Sequence, residues 1–422
     1  MKRKNYWYPV DNAGKIFPAV SKDSRSSVFR LSFYLIEAVD KDTLTQAVND
    51  VLPRFETFNV ELKSGLFWNY LSKNSKPALV RKEDPVICRH IPAATNHNYL
   101  FTVYYFENKI TLETFHCISD GTGAMEFLKS ITYRYYQLKG INIEHDGVIM
   151  SNRPFSSDET SDMFCYSYDK SKKKALKEEP AYHIKGEKFD QHYSLLVRAK
   201  VPTEQLLTLA RNHQVTLSEY VTALMAYSIY RQQPDCHKTK KPIKLFIPVN
   251  LRRFFPSTTL RNFSLYIKAT FAGSKEWNFD AMLKSTKEQF QRQLTKEDLH
   301  GRINSNVGIE KNIAIKLIPL FIKNIAFRLS YYYLAENINT YAISNLGNVI
   351  LPKQMEDYVK DIEFNIGGTN MAIASIHGFT NLSLNTEFKD LSIIHYFLHH
   401  LIEAGIDVTI DTNYREGYDE LL

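Results

Sequence analysis

The chain has only four cysteines in 422 residues, Cys88, Cys117, Cys165 and Cys236, none of them paired as CxxC. That spacing excludes a finger-type zinc site and the disulfide scaffold of a small secreted domain, and it predicts reduced thiols. Nowhere do about eighteen apolar residues run together, and the opening Met-Lys-Arg-Lys-Asn-Tyr-Trp-Tyr-Pro carries no apolar signal core. A cytoplasmic protein without a transmembrane segment is expected. Charge of one sign is scarce as well. Lys and Arg number 53 against 46 Asp and Glu, a net +7 that is mild for this length. The lysines cluster only at Lys172-Lys173-Lys174 and at Lys238, Lys240, Lys241 and Lys244. Both clusters read as solvated loops, and no nucleic-acid partner is expected. Short-period repeats are missing too.

What is abundant is apolar and aromatic: 44 % hydrophobic residues and 13 % aromatics, which place the chain among folded globular proteins and not disordered ones. The length exceeds one ordinary core, so two domains or one two-lobed unit are expected. Val28 to Glu37 alternates with Phe29, Leu31, Phe33 and Leu35 on one face, and Asp40 then opens a helix with the stripe Leu44, Ala47, Val48, Val51 and Leu52. Extended segments follow near residues 57–62 and 67–71, then a hairpin of 100–106 and 109–115 around a polar turn. From Lys139 to about Lys188 the periodicity fades into a polar connection. Strands are then predicted near 193–201, 243–249, 263–272, 340–344, 363–366, 371–376, 380–388 and 407–410. Helices are predicted after Pro202 and Ser218 and over 280–294, 313–334 and 392–404. The boundary divides an N-terminal lobe, 1–185, from a C-terminal lobe, 186–422, both α/β.

The most informative segment is His116-Cys117-Ile118-Ser119-Asp120-Gly121, which stands between a strand and a helix marked by Ala124, Phe127, Leu128, Ile131, Tyr135 and Leu138. His116 continues one strand face beyond the strand's end and is a candidate general base. The plain alternative is a hydrogen-bonded structural histidine with Asp120 as a helix cap. Gly121 is expected to supply a positive φ at the turn. Cys117, next to His116, points the other way on an extended segment and reads as a packing thiol. His395 and His399 have the helical spacing of zinc ligands, with His400 beside them, but no third-ligand motif is near and no metal is expected.

The HxxxDG turn at a strand end, in a chain of two α/β lobes, resembles the CoA-dependent acyltransferase superfamily: chloramphenicol acetyltransferase, plant BAHD enzymes, alcohol acetyltransferases and condensation domains. Leu52-Pro-Arg-Phe-Glu-Thr-Phe58 resembles the superfamily's Arg-bearing segment, although Phe55 and Asn59 depart from it. Ile247-Pro-Val-Asn-Leu-Arg252 resembles its Pro-Val-Asp/Asn-Leu-Arg segment, and Asn262-Phe263 its Gly-Asn-Phe, with Arg261 in place of Gly. Ile343-Ser-Asn-Leu-Gly347 is similar to the Ser-Asn-x-Gly strand of alcohol acetyltransferases. Phe115 stands where condensation domains usually carry a further His, and the BAHD Asp-Phe-Gly-Trp-Gly segment is absent. The likeness is therefore to stand-alone alcohol acetyltransferase-like proteins.

The resemblance implies two chloramphenicol-acetyltransferase-like lobes, each a mixed sheet flanked by helices, with a crossover and an interface channel. It implies acyl-CoA, foremost acetyl-CoA, as co-substrate with no bound cofactor, and a small-molecule or lipid-like alcohol as acceptor. An acyl carrier protein as donor, or a non-catalytic binding role, stays open. It also implies that His116 is the base and that Asp120 pairs with Arg54, with Gly121 supporting the turn. Arg252 either bridges in the second lobe or lies on the surface. Ser344 and Asn345 are either donors to a developing oxyanion or an ordinary strand end before a Gly turn.

Overall fold

Three sheets order the chain, and one edge strand of the five-stranded sheet comes from far along the sequence. In a computed structural model, residues 5–22, 25–83, 86–170, 178–190, 193–332 and 337–413 are described. The lysines 172–174 lie outside them. A five-stranded sheet runs in the spatial order Val359–Asn365, Val28–Leu35, Lys109–Phe115, Phe101–Phe106 and Val80–Lys82. All of its pairings are antiparallel except the last. Residues 359–365 thus add a strand to a sheet otherwise built from residues before 120, with Ile362 opposite Phe33. A seven-stranded mixed sheet has the order Ser264–Phe271, Ile243–Asn250, Tyr341–Asn348, Asn370–Ile376, Phe379–Thr386, Leu195–Pro202 and Thr409–Thr412. Trp7–Pro9, Asn69–Lys73 and Val60–Ser64 form the small third sheet.

The alternation seen in the sequence is what packs each sheet. Leu31, Phe33 and Leu112 point into one core, where helix Lys41–Val51 contributes Leu44, Ala47 and Val48. Helix Gly121–Leu138 adds Phe127, Leu128 and Ile131. Asp40 caps the first of these helices by accepting from the Thr43 amide at 2.8 Å. Phe55, Phe58, Phe101 and Phe127 stack together beneath it, with ring centroids 4.4 to 6.3 Å apart. The second core lies under helix Leu217–Gln232, whose Val221, Leu224, Met225 and Ile229 are fully buried.

Three sequence expectations change. The helix expected over 313–334 is two, Ile313–Lys316 and Leu320–Tyr331, because Pro319 cannot continue the first and instead precedes the second; residues 333–336 lie outside the described ones. A further helix, Lys296–Lys311, was hidden by its polar interior, since Arg302 and Asn304 are buried in it. Lys244 is not on a solvated loop: it is 5 % exposed in the strand Ile243–Asn250 and donates to the Glu179 carbonyl at 2.6 Å.

Candidate active site

His116 begins the turn after strand Lys109–Phe115, its amide held by the Ser27 carbonyl at 2.9 Å. Asp120 ends the turn as the cap of helix Gly121–Leu138, accepting from the Gly123 amide at 3.2 Å. The glycines of this segment serve closeness, not conformation. Gly121 does not take the expected positive φ. A Cβ there would lie 2.6 Å from Cδ2 of Leu346, which a bulge at Asn345/Gly347 pushes across from the other sheet. At Gly123 a Cβ would collide with the Leu260 carbonyl oxygen and with Oγ of Ser119.

The tautomer of His116 follows from its partner. The Nδ2 group of Asn262 donates to the His116 carbonyl at 2.9 Å and to Oδ2 of Asp11 at 3.1 Å, both acceptors. Its Oδ1 therefore faces Nδ1 of His116, at 2.9 Å, as an acceptor. Nδ1 must carry the hydrogen, which leaves Nε2 of the neutral ring with its lone pair. Phe17 stacks on the imidazole with centroids 4.9 Å apart, and Phe29 meets it edge-on at 5.0 Å. Burial lowers the His116 pKa below 6.5 despite opposition from Asn262 and Asp120, so the ring is neutral at neutral pH. Asp11 behind Asn262 is pushed up to about 6 by burial, against the pull of Arg261.

Asp120 does not pair with Arg54, as the resemblance implied. Its Oδ2 accepts from Nη1 of Arg252 at 2.7 Å and from the Phe263 amide at 2.9 Å. Arg252 spends its other donors on the carbonyls of Thr259 and Arg261 and on Oδ1 of Asn250. One ion pair across 132 residues thus holds the segment that carries Asn262 against His116. Arg54 instead forms a two-pronged pair with Glu159, at 2.7 and 2.9 Å, and reaches the carbonyls of Arg153 and Pro154. The reason is distance along the fold: Arg54 faces the connection after the first lobe, and the Asp120 carboxylate is already filled. Of the two readings of Arg252, bridging is the observed one, with its side chain 11 % exposed.

His116, Asp120 and Gly121 line a cavity of about 370 Å³ whose opposite wall includes Ser344, Asn345, Pro248 and Ser218. The expected site residues are therefore brought together, except Arg54. Nδ2 of Asn345 donates to Oγ of Ser218 at 3.2 Å, and its Oδ1 accepts from the Gly347 amide at 2.8 Å. Asn250 bridges to Thr122 at 3.1 Å on the rim. Cys117 is fully buried, and burial raises its thiol pKa, the setting of a packing residue. Sequence reading missed Asp11, Phe17 and Glu159. None stands in a motif, and Asp11 is 251 residues from its partner Asn262.

No family model matches the chain, and no curated protein does. Solved structures do. TRI101 of F. sporotrichioides, complexed with coenzyme A and T-2, aligns with a TM-score of 0.60 at 10 % identity, over 97 % of this chain and 100 % of that one. The epimerization domain of the third module of tyrocidine synthetase B aligns at 0.59 and 12 %, over 95 % and 96 %. Polyketide synthase associated protein 5 of Mycobacterium tuberculosis aligns at 0.58 and 12 %, over 93 % and 96 %. With two mixed sheets flanked by helices and aligned over nearly its whole length, the chain has the two-lobed, chloramphenicol-acetyltransferase-like fold of these solved structures.

Proposed function

We propose that the protein transfers an acyl group, foremost acetyl, from acyl-CoA to a hydroxyl of a small or lipid-like acceptor, as alcohol acetyltransferases do. The observation that carries this reading is the orientation of His116: Nδ1 is committed to Asn262, which leaves Nε2 as a base on the wall of a cavity between the two sheets. Nε2 takes the hydroxyl proton as the oxygen attacks the thioester carbonyl. The carbon–sulfur bond then breaks, and the proton passes to the leaving thiolate. No covalent acyl-enzyme forms. A positioned base of this kind contributes about 10²- to 10⁴-fold in rate. Asp120 and Arg252 act as positioning residues, and Ser344 and Asn345, which line the same cavity, are the candidate donors to the oxyanion.

Structural neighbours solved with coenzyme A, ethyl coenzyme A and a C8-CoA support a CoA thioester as donor. The last of these and a further neighbour are condensation domains, which favours one second reading, a donor held by a carrier protein. Release of free CoA from acetyl-CoA in the presence of an alcohol panel tests the main reading. Turnover in the wild type that is lost in His116→Ala supports it, and turnover unchanged in that variant overturns it. Saturation by loaded carrier proteins but not by free acyl-CoA selects the second. The reading assigns the base to residues 1–185 and the opposite wall to residues 186–422, in a cytoplasmic protein. Among the described residues no helix is long and apolar enough to cross a membrane.

A further inference from the structure

Helix Leu320–Tyr331 is turned inside out. It buries Lys323, 4 % exposed, whose Nζ donates to the carbonyls of Phe67 and Lys316 and sits 3.8 Å over the Trp68 ring. It leaves Phe321 67 % and Ile325 54 % exposed. The same exposure recurs every fourth residue through the breaks between helices: Ile309, Ile313, Leu317, Phe321, Ile325 and Leu329 are all more than half exposed. So many exposed apolar side chains in one segment are uncommon on a protein that meets only water. The charged residues exposed among them are Lys311, Lys316 and Arg328, all basic, whereas Glu310 is partly buried and bonded to Asn12. An apolar segment whose own exposed charges are all cations matches the interface of an anionic bilayer, where apolar side chains sink in and cations meet headgroups.

The stripe is linked to the site through one short helix. Leu317 and Lys316 border an open groove of about 420 Å³ with Pro9, Phe67 and Trp68. Arg328 donates to the Ala19 carbonyl of the short helix Phe17–Val20, whose first residue stacks on His116.

We propose that residues 309–329 form a docking surface for an anionic phospholipid bilayer, lying in its interface without spanning it. The docking stands on the stripe alone; a role in presenting a lipid-like acceptor to His116 rests on the transferase reading above.

Co-sedimentation of the full chain with vesicles of phosphatidylcholine, alone or mixed with phosphatidylglycerol, tests it. Binding to the mixed vesicles is expected, about tenfold weaker on the neutral ones, since each surface cation near anionic headgroups contributes measurably. Combining Leu317→Ser, Phe321→Ser and Ile325→Ser should weaken binding about a hundredfold. These exposed positions should leave thermal unfolding and transfer to a water-soluble alcohol unchanged. Combining Lys311→Glu and Lys316→Glu should remove the preference for anionic vesicles. No vesicle binding, or binding unaltered by the serine changes, overturns the proposal. So does self-association in light scattering that the serine changes abolish without any vesicle binding, which would give the stripe to a second copy. The vesicle readout needs no turnover, so an inactive but vesicle-binding protein sinks the transferase reading alone.

Discussion

The two sheets meet at two buried polar junctions, and only one of them has the makings of a catalytic site. Beside one junction, Arg30, 1 % exposed, faces three glutamates of its own sheet and its edge, Glu83 at 2.7 Å, Glu113 at 3.4 Å and Glu363 at 3.7 Å. Glu363 comes from the strand that the later half of the chain adds to the first sheet, and its neighbour Asp361 meets Arg198 and Lys200. Charges here answer charges. At the other junction Asp120 is answered by Arg252, but the imidazole beside them is held through a neutral amide at one nitrogen only. Buried ion pairs alone therefore do not mark chemistry. What does is a titratable ring with one nitrogen uncommitted, at a cavity, and with its charged form disfavoured.

The comparison is broken most forcefully at Arg30. Arg30→Leu takes the Arg30 ion pair from Glu113 and Glu363 and leaves Glu83 with Lys109 alone, and loss of one partner from such a buried cluster costs about 3–5 kcal/mol. Urea unfolding should show it as a lower midpoint with an unchanged slope. An equally stable variant would mean that the cluster is only a solvated rim.

His116→Ala should give the mirror result: CoA release down about 10²- to 10⁴-fold with the urea midpoint nearly unchanged. A midpoint lowered as far as in Arg30→Leu would make His116 a structural residue like those at the far junction.

The pH dependence sharpens the contrast within the near junction. Because burial lowers the His116 pKa, the unfolded chain binds a proton below pH 6.5 that the folded chain refuses. That contribution to stability is present above 6.5 and is lost as pH falls below it. Asp11 slopes the other way. Its pKa is raised from 3.8 to about 6, so the folded chain holds its proton longer and stability falls as pH rises between those values. The acid limb of kcat/KM should lie below pH 6.5, where the ring at last protonates. Asn262→Ala removes a bond that raises the His116 pKa, so the limb should move to still lower pH while the plateau falls about tenfold through loss of the tautomer. A limb that stays in place would show that Asn262 does not govern the ring.

How much of this was legible in the sequence depends on how far apart the partners lie. Local pattern showed the strand before His116, the Asp120 cap and the helix stripe that follows, because side-chain period and capping act within a few residues. Through resemblance, Ser344-Asn345 pointed to residues that line the cavity, and Arg252 and Asn262 to residues that bond Asp120 and His116. Nothing local could say that Arg252, 132 residues from Asp120, would take the place expected for Arg54, or that Glu159 would take Arg54 away. The added strand Val359–Asn365 is similar: its alternation is plain, but its membership in the first sheet is decided by Glu363 and Ile362 finding Arg30 and Phe33. The stripe from Ile309 to Leu329 reads as core in any apolar count, and only burial reveals that it faces outward.

The smallest effect separates the two glycines of the turn. A methyl at Gly121 meets the end of the Leu346 side chain, a flexible group that can rotate away at a cost of about 1 kcal/mol. One at Gly123 meets the Leu260 carbonyl, which belongs to the backbone segment that Arg252 and Ser119 hold in place. That backbone cannot shift without carrying Asn262 with it. Gly121→Ala should therefore lower activity less than Gly123→Ala, and Leu346→Ala should restore what Gly121→Ala loses while doing nothing for Gly123→Ala. If both glycine variants respond alike to Leu346→Ala, the two sites are not separated by backbone and side chain, and the bulge at Asn345/Gly347 shapes the whole turn.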